Sequence, residues 1–174
     1  MKMALLLLFA FMNSTIIYDF NKKSSTRDWR VIDDGVMGGM SQGRFSINSE
    51  GNGLFEGTIS LENNGGFSSI RYGFDKIKVN PQSTVSILLK GDGKSYQFRI
   101  KDKYNNYYSY ITTFETTGEW QTVELKLSDL YPSFRGRKLD LPNFRSDSFD
   151  EIVFLIANKR NETFKLTLDK ISLN

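Results

Sequence analysis

The chain has 174 residues, of which 39% are hydrophobic, 25% charged and 14% aromatic, and its formal net charge is +3. That length suits one domain, and Lys and Arg are too scattered to give the concentrated basic face that a nucleic-acid partner needs. Cysteine and histidine are both missing, which excludes disulfides, thiolate nucleophiles and sulfur-ligated zinc or iron–sulfur sites, and removes the commonest general base near neutral pH.

Met1-Lys2 precedes a ten-residue apolar run, Met3 to Met12, and then polar Asn13-Ser14-Thr15. A short positive start and a short apolar core resemble a bacterial secretory signal, too short to span a bilayer. Small-x-small cleavage chemistry is poor here, and a start at Met12 would instead make the first eleven residues an extension. Either way residues 1–13 are set apart, and 14–174 are expected to form the domain. A cleaved leader implies a periplasmic or secreted protein, an uncleaved one a cytoplasmic protein.

The first informative run is Asp33-Asp34-Gly35-Val36-Met37-Gly38-Gly39-Met40-Ser41. It has neither helical nor strand periodicity, and its glycines mark a loop of fixed shape. Met37 and Met40 are expected to fill the mouth of the core. Leu54 to Leu61 then reads as a strand with Phe55, Ile59 and Leu61 on one face. A second glycine-rich run, Leu61 to Arg71, carries Glu62-Asn63-Asn64-Gly65-Gly66-Phe67. Gly35, Met37, Gly38, Gly39, Asn64, Gly65 and Gly66 are assigned to structural loops.

Val85 to Leu89 is apolar on both faces, as is Ile152 to Ile156, so both are expected to be central strands covered on both sides. Asn64-Gly65 and Asp92-Gly93 lie between strand-like runs and signal hairpins. Gly91-Asp92-Gly93-Lys94 lacks the spacing of a phosphate loop. Ser95 to Lys101 alternates strictly, with Tyr96, Phe98 and Ile100 on one side and Gln97 and Arg99 on the other. Trp120 to Leu127 and Phe164 to Asp169 alternate too, the latter continuing to Leu173. Period two is the habit of antiparallel sheets with one wet face. Ser128 to Ser148 is the longest irregular stretch, either a cap or a binding loop, and its Tyr131 to Lys138 part carries two aromatics and three cations including Arg135. The three prolines, at 81, 132 and 142, fall in segments read as loops. Together these signals define an all-β fold, a jelly-roll β-sandwich.

Asp33 and Asp34 could be an acid/base pair, a calcium site or anchors of their own turn. Adjacent carboxylates point apart, so Asp33 with Glu62 is the one pairing that glycosidase chemistry could use. Only fragments of a calcium loop are present, and Asx side chains capping turns are the commoner use. Arg71 and Arg99 are placed on strands, with Gln97 beside Arg99 and Tyr107 or Tyr108 expected to approach from the next strand. Guanidinium forks, amides and rings on a sheet suit sugar hydroxyls or a partner's carboxylates. Alternatively these arginines pair with Asp33, Asp34 or Glu62 to pin the glycine loops. The candidate binding set is Asp33, Asp34, Glu62, Asn63, Arg71, Gln97, Arg99, Tyr108 and Arg135. No catalytic residue, metal site or cofactor is assigned.

The order Trp29, Asp33-Asp34-Gly35-Val36-Met37-Gly38-Gly39, Ser41 and Gly43 resembles the signature of the complex I intermediate-associated protein 30 family. Gly57, Glu62 to Phe67, Arg71, Tyr96 to Arg99, Trp120 and Phe134-Arg135-Gly136 continue the likeness over about residues 16–174. The resemblance implies a galactose-binding-domain-like jelly roll, similar in shape to carbohydrate-binding modules, in a small stand-alone bacterial-type member. It implies a non-enzymatic, chaperone-like assembly role with a protein partner, such as a respiratory-complex or envelope component. A carbohydrate-binding module at the cell envelope is the alternative, and a carboxylate-dependent glycosidase ranks last. Neither nucleic acid nor a membrane span is expected.

Overall fold

The structure, a computed structural model, describes residues 14–174 apart from Tyr104, and only the backbone of Val36 and Met37. The leader and the packing role of Met37 therefore lie outside the described residues. Thirteen strands form: β1 (Thr15–Asp19), β2 (Trp29–Asp33), β3 (Gln42–Ile47), β4 (Gly53–Ile59), β5 (Ser68–Lys78), β6 (Thr84–Lys90) and β7 (Ser95–Lys101) lead. They are followed by β8 (Ser109–Glu115), β9 (Trp120–Lys126), β10 (Tyr131–Phe134), β11 (Arg137–Lys138), β12 (Ser148–Ile156) and β13 (Glu162–Leu173).

Two antiparallel sheets face each other in a jelly-roll sandwich. One has the order β3-β4-β13-β6-β9, with β1 also on β13; the other runs β11-β10-β8-β7-β12-β5-β2. Alternation explains the layering. In β7 the expected face, Tyr96, Phe98 and Ile100, is buried in the core while Gln97 and Arg99 turn outward. In β13 the buried set passes from Phe164, Leu166 and Leu168 to Ile171 and Leu173. A register shift between Leu168 and Lys170 makes that change of parity, as a bulge does by inserting one extra residue. Aromatic rings close one end of the core, where Trp29 stacks on Tyr72 at 4.9 Å and meets Phe45 at 4.9 Å.

Of the two doubly apolar runs, β12 is the one covered on both faces, between β7 and β5. Ile152, Phe154 and Ile156 enter the core, while Val153 and Leu155, on the opposite face, are only 1% and 4% exposed. The same expectation fails for β6, whose Ser86 and Leu88 are half-buried on the outward side. Neither expected hairpin forms. The Asn64-Gly65 turn joins β4 to β5 and Asp92-Gly93 joins β6 to β7, and each pair of strands is split between the two sheets. A glycine turn fixes a local reversal but not which strand pairs, and here the chain crosses the sandwich.

Leu61 lies beyond the end of β4 and is exposed, not on the buried face with Phe55 and Ile59. Met40 is 52% exposed and fills no mouth. The Ser128 to Ser148 stretch is more regular than expected, since β10 and β11 form a small ribbon at the sheet edge. Pro132 sits within β10 with its ring buried, and β11 covers only the far end of that strand, beyond the proline, which fits proline's confinement to sheet margins.

The core positions predict a clear contrast. Phe154→Ala should lower unfolding free energy by about 3–5 kcal/mol, whereas exposed Leu61→Ala should stay within about 0.5 kcal/mol. Urea denaturation of the two variants measures this directly.

Candidate functional site

Two different constructions account for the residues singled out in the sequence. The first is a knot at the rim. Asp34 is fully buried, and its carboxylate accepts the backbone N–H of Ser41 at 3.0 Å, the Ser41 hydroxyl, and the backbone N–H groups of Gly66 and Phe67, the last at 3.2 Å. Burial alone would raise its pKa, but the bonds from Ser41, Gly66 and Phe67 outweigh it and hold the carboxyl below its ordinary value. Ser41 extends the knot through its Oγ, which accepts the N–H of Ser60 at 3.1 Å.

Gly39 and Gly65 belong to this knot because a Cβ on either would meet Asp34: 2.3 Å from Oδ1 for Gly39, 2.6 Å from Oδ2 for Gly65. Asn63 and Asn64 take positive φ angles of 55° and 60°. The Asn63 amide donates to the Gly38 carbonyl at 3.0 Å, tying one glycine-rich run to the other. Asp33 Oδ2 accepts the Gly43 N–H at 3.1 Å. Glu62 is exposed on its turn. The Asp34 carboxylate is thus filled by backbone donors and the Ser41 hydroxyl, while Asp33 engages Gly43 through Oδ2 and keeps Oδ1 buried without a partner; the rim works as a joint, the turn-anchoring reading of the sequence.

The second construction is the outer face of the seven-stranded sheet. Register places Arg30, Arg71, Val153, Arg99, Ile111 and Tyr131 side by side across six strands, β2, β5, β12, β7, β8 and β10. On one side of this row lie Ser69, Leu155, Gln97 and Thr113; on the other lie Glu151 and Lys101. The expectation that Gln97 and Arg99 share a polar face is met, and β12 brings Arg71 to that face too.

Arg71 and Arg99 do not pin the glycine loops. Glu151 lies 3.5 Å from Arg71 Nη1 and 3.7 Å from Arg30 Nη2. Arg99 donates from both Nε and Nη2 to Gln97 Oε1, at 3.2 and 2.6 Å. No carboxylate among the described residues lies within ion-pair distance of Arg99. Burial, and after it the neighbouring Arg71 charge, pull its pKa down to about 10. Arg71 Nε and Glu151 Oε1 are buried without a hydrogen-bond partner.

Tyr108 does not reach this face. It packs partly against the core, its hydroxyl 3.5 Å from that of Tyr110. Tyr131 takes the place expected for it. Arg135 sits in the turn between β10 and β11 over the Phe134 ring, 5.2 Å from its centroid. The sequence reading missed Arg30, Glu151, Lys101 and Tyr131. One signal could have found them: the doubly apolar Ile152 to Ile156 run marks a central strand, and strands flanking it must present their polar residues around Val153.

A groove of about 450 Å3 lies on the other sheet, lined by Asn48, Leu54, Lys90, Trp120, Lys165 and Thr167, with Trp120 43% exposed. Among the described residues no group of three or more acids could hold a metal ion. No described helix is long and apolar enough to cross a membrane, which says nothing of strands.

These features define a jelly-roll β-sandwich with an acid-locked glycine rim and an arginine-bearing sheet face. Its backbone resembles that of a family 11 carbohydrate-binding module from Clostridium thermocellum, solved with a beta-1,3-1,4-mixed-linked tetrasaccharide: TM-score 0.67, 18% identity, 92% of this chain and 94% of that one. It also resembles part of an agarase, at TM-score 0.60 and 11% identity over 92% of this chain and 24% of that one. Likeness at this identity is a likeness of fold. The chain belongs to the Complex I intermediate-associated protein 30 family, whose sequence pattern matches residues 18–168.

The knot makes a prediction with a definite sign. Asp34→Ala should cost about 3 kcal/mol or more, since it strands several buried donors at once. Because the folded pKa is lowered, the stabilisation from the ionised group is complete above the ordinary value near 3.8 and fades as pH falls through the lowered value. Denaturation midpoints between neutral and strongly acidic pH should show this loss in the wild-type protein and a flatter profile in Asp34→Asn.

Proposed function

We propose that this chain is a non-catalytic binding module that holds a glycan against the outer face of its seven-stranded sheet. The observation that carries this is the face itself: Arg71, Gln97, Arg99 and Tyr131 placed together by register on rigid strands. Arginine forks, an amide and a ring are the groups that satisfy sugar hydroxyls and ring faces in a preorganised site. The shared fold with a module solved around a tetrasaccharide supports the same reading. Hydrolysis finds less support, since the Asp34 carboxylate is filled by Ser41, Gly66 and Phe67 and Asp33 Oδ2 by Gly43. This reading fits a protein of the cell envelope.

A second reading is favoured by family membership: a chaperone-like role toward a protein partner such as a respiratory-complex component. In it, the same face would receive side chains of the partner.

A glycan array followed by calorimetry on the purified protein tests the first reading. At least one oligosaccharide should bind, and removing the shared amide and fork with Gln97→Ala and Arg99→Gln should weaken it about tenfold or more. Silence across neutral and acidic glycans removes it. Affinity capture from native membranes tests the second, which fails if no respiratory or envelope component is enriched.

A further inference from the structure

We propose that the glycan taken by this face is acidic, with a carboxylate of a uronate residue received between Arg71 and Arg99. This rests on the glycan reading above and specifies its chemistry. Arg71 and Arg99 flank Val153 on the two strands that border β12, so their Cα atoms are two strand spacings apart, roughly 9–10 Å. Long side chains from that separation can converge on one planar anion from both sides.

Charge on this face is unbalanced. Arg30, Arg71, Arg99 and Lys101 lie within two neighbouring rows, and Glu151 is the one acid paired in register with them. Arg30 stands directly opposite Arg71, an arrangement of like charges that destabilises a sheet. Glu151 meets its two arginines only at 3.5 and 3.7 Å, too far for hydrogen bonds. Among the described residues no acid lies within ion-pair distance of Arg99, which shares a single amide oxygen between two of its N–H groups. A guanidinium presents a fork matched to carboxylate geometry, so a bound carboxylate would relieve the repulsion and fill donors that the protein itself leaves underused.

The surroundings favour a sugar acid over an acidic peptide. Beside the cationic row lie a hydroxyl and an amide, from Thr113 and Gln97. The apolar residues of the face, Val153, Leu155 and Ile111, are buried beneath them, so the accessible groups are polar and charged apart from the Tyr131 ring.

The experiment compares polygalacturonate oligosaccharides with the same oligosaccharides fully methyl-esterified, with neutral mixed-linkage glucan, with a sulfated glycan and with poly-glutamate, by calorimetry at two salt concentrations. The expected result is binding of the free acid, weakened about tenfold or more by methyl-esterification or by Arg99→Gln, partly recovered in Arg99→Lys, and reduced by salt. Arg71→Gln combined with Glu151→Gln tests the other arginine without leaving Glu151 buried and unpaired, and circular dichroism confirms that each variant is folded. Equal binding of esterified and free acid, still weakened by Gln97→Ala and Arg99→Gln, overturns the acidic inference and leaves the glycan reading standing, whereas equal binding insensitive to these variants overturns both. Preference for the sulfated glycan or for poly-glutamate overturns the uronate assignment. Binding of no glycan overturns both.

Discussion

The buried Asp34 carboxylate is the joint on which the rim of this sandwich depends. Its acceptor oxygens collect donors from two other chain segments, Ser41 just before β3 and Gly66 and Phe67 just before β5, while Asp34 itself follows β2, so three segments meet there. β3 belongs to one sheet, β2 and β5 to the other. One charged group therefore holds both layers at the open end of the core. Such a group must be ionised to accept all of these bonds, and the donors around it keep it so. The glycine content of both runs follows from the carboxylate: Gly39 and Gly65 are small because Asp34 occupies the space where their Cβ atoms would stand.

A comparable device operates on the crossover between β6 and β7. Asp92 Oδ1 accepts the Tyr96 hydroxyl at 2.9 Å, and its Oδ2 accepts the Lys165 backbone N–H at 2.9 Å and the Lys94 ammonium at 2.7 Å. Tyr96 lies in the seven-stranded sheet and Lys165 in the six-stranded one. Burial, with Asp92 beside it, raises the Tyr96 pKa and keeps its hydroxyl protonated as a donor. The Asp92-Gly93 pair, which reads as a hairpin from sequence, is in fact a second acidic clamp between layers.

Much of the fold was legible because period-two alternation is a local signal. The faces of β7, β9 and β13 follow from it, and the doubly apolar β12 announces its central place. What could not be read was pairing across the sandwich. Asn64-Gly65 specifies a turn but not whether the next strand returns beside the last or crosses to the other sheet. The candidate site divided along the same line. Asp33, Asp34 and Asn63 were singled out by the density of glycine around them, and that density reflects packing at a joint. Arg71 and Arg99 were singled out by strand parity, which correctly sends Arg99 outward with Gln97. Their shared row with Arg30 and Tyr131 depends on the strand order β2-β5-β12-β7-β8-β10, a long-range property that no stretch of sequence carries. Tyr108 failed for a local reason: it precedes β8 and turns toward the core.

The joint and the face are coupled through stiffness. A row of like charges on a flexible loop would splay apart and lose its geometry. On β2, β5 and β7 the guanidinium groups start from fixed Cα positions, because the inward side chains of those strands and of β12, among them Trp29, Ile70, Phe98, Ile152 and Phe154, are locked in a close-packed core. The repulsion between Arg30 and Arg71 is then borne by the core and cannot be relieved by motion of the backbone. A face held this way has already met the ordering cost of its backbone before any ligand arrives, which is where preorganised sites gain affinity. Exposed groups at the margin, Tyr107 on Phe134 and Arg135 above it, lack that support. The division of labour follows: acids and glycines at the rim set the geometry of the two layers, and the strands between them display cations that the fold itself leaves only partly neutralised.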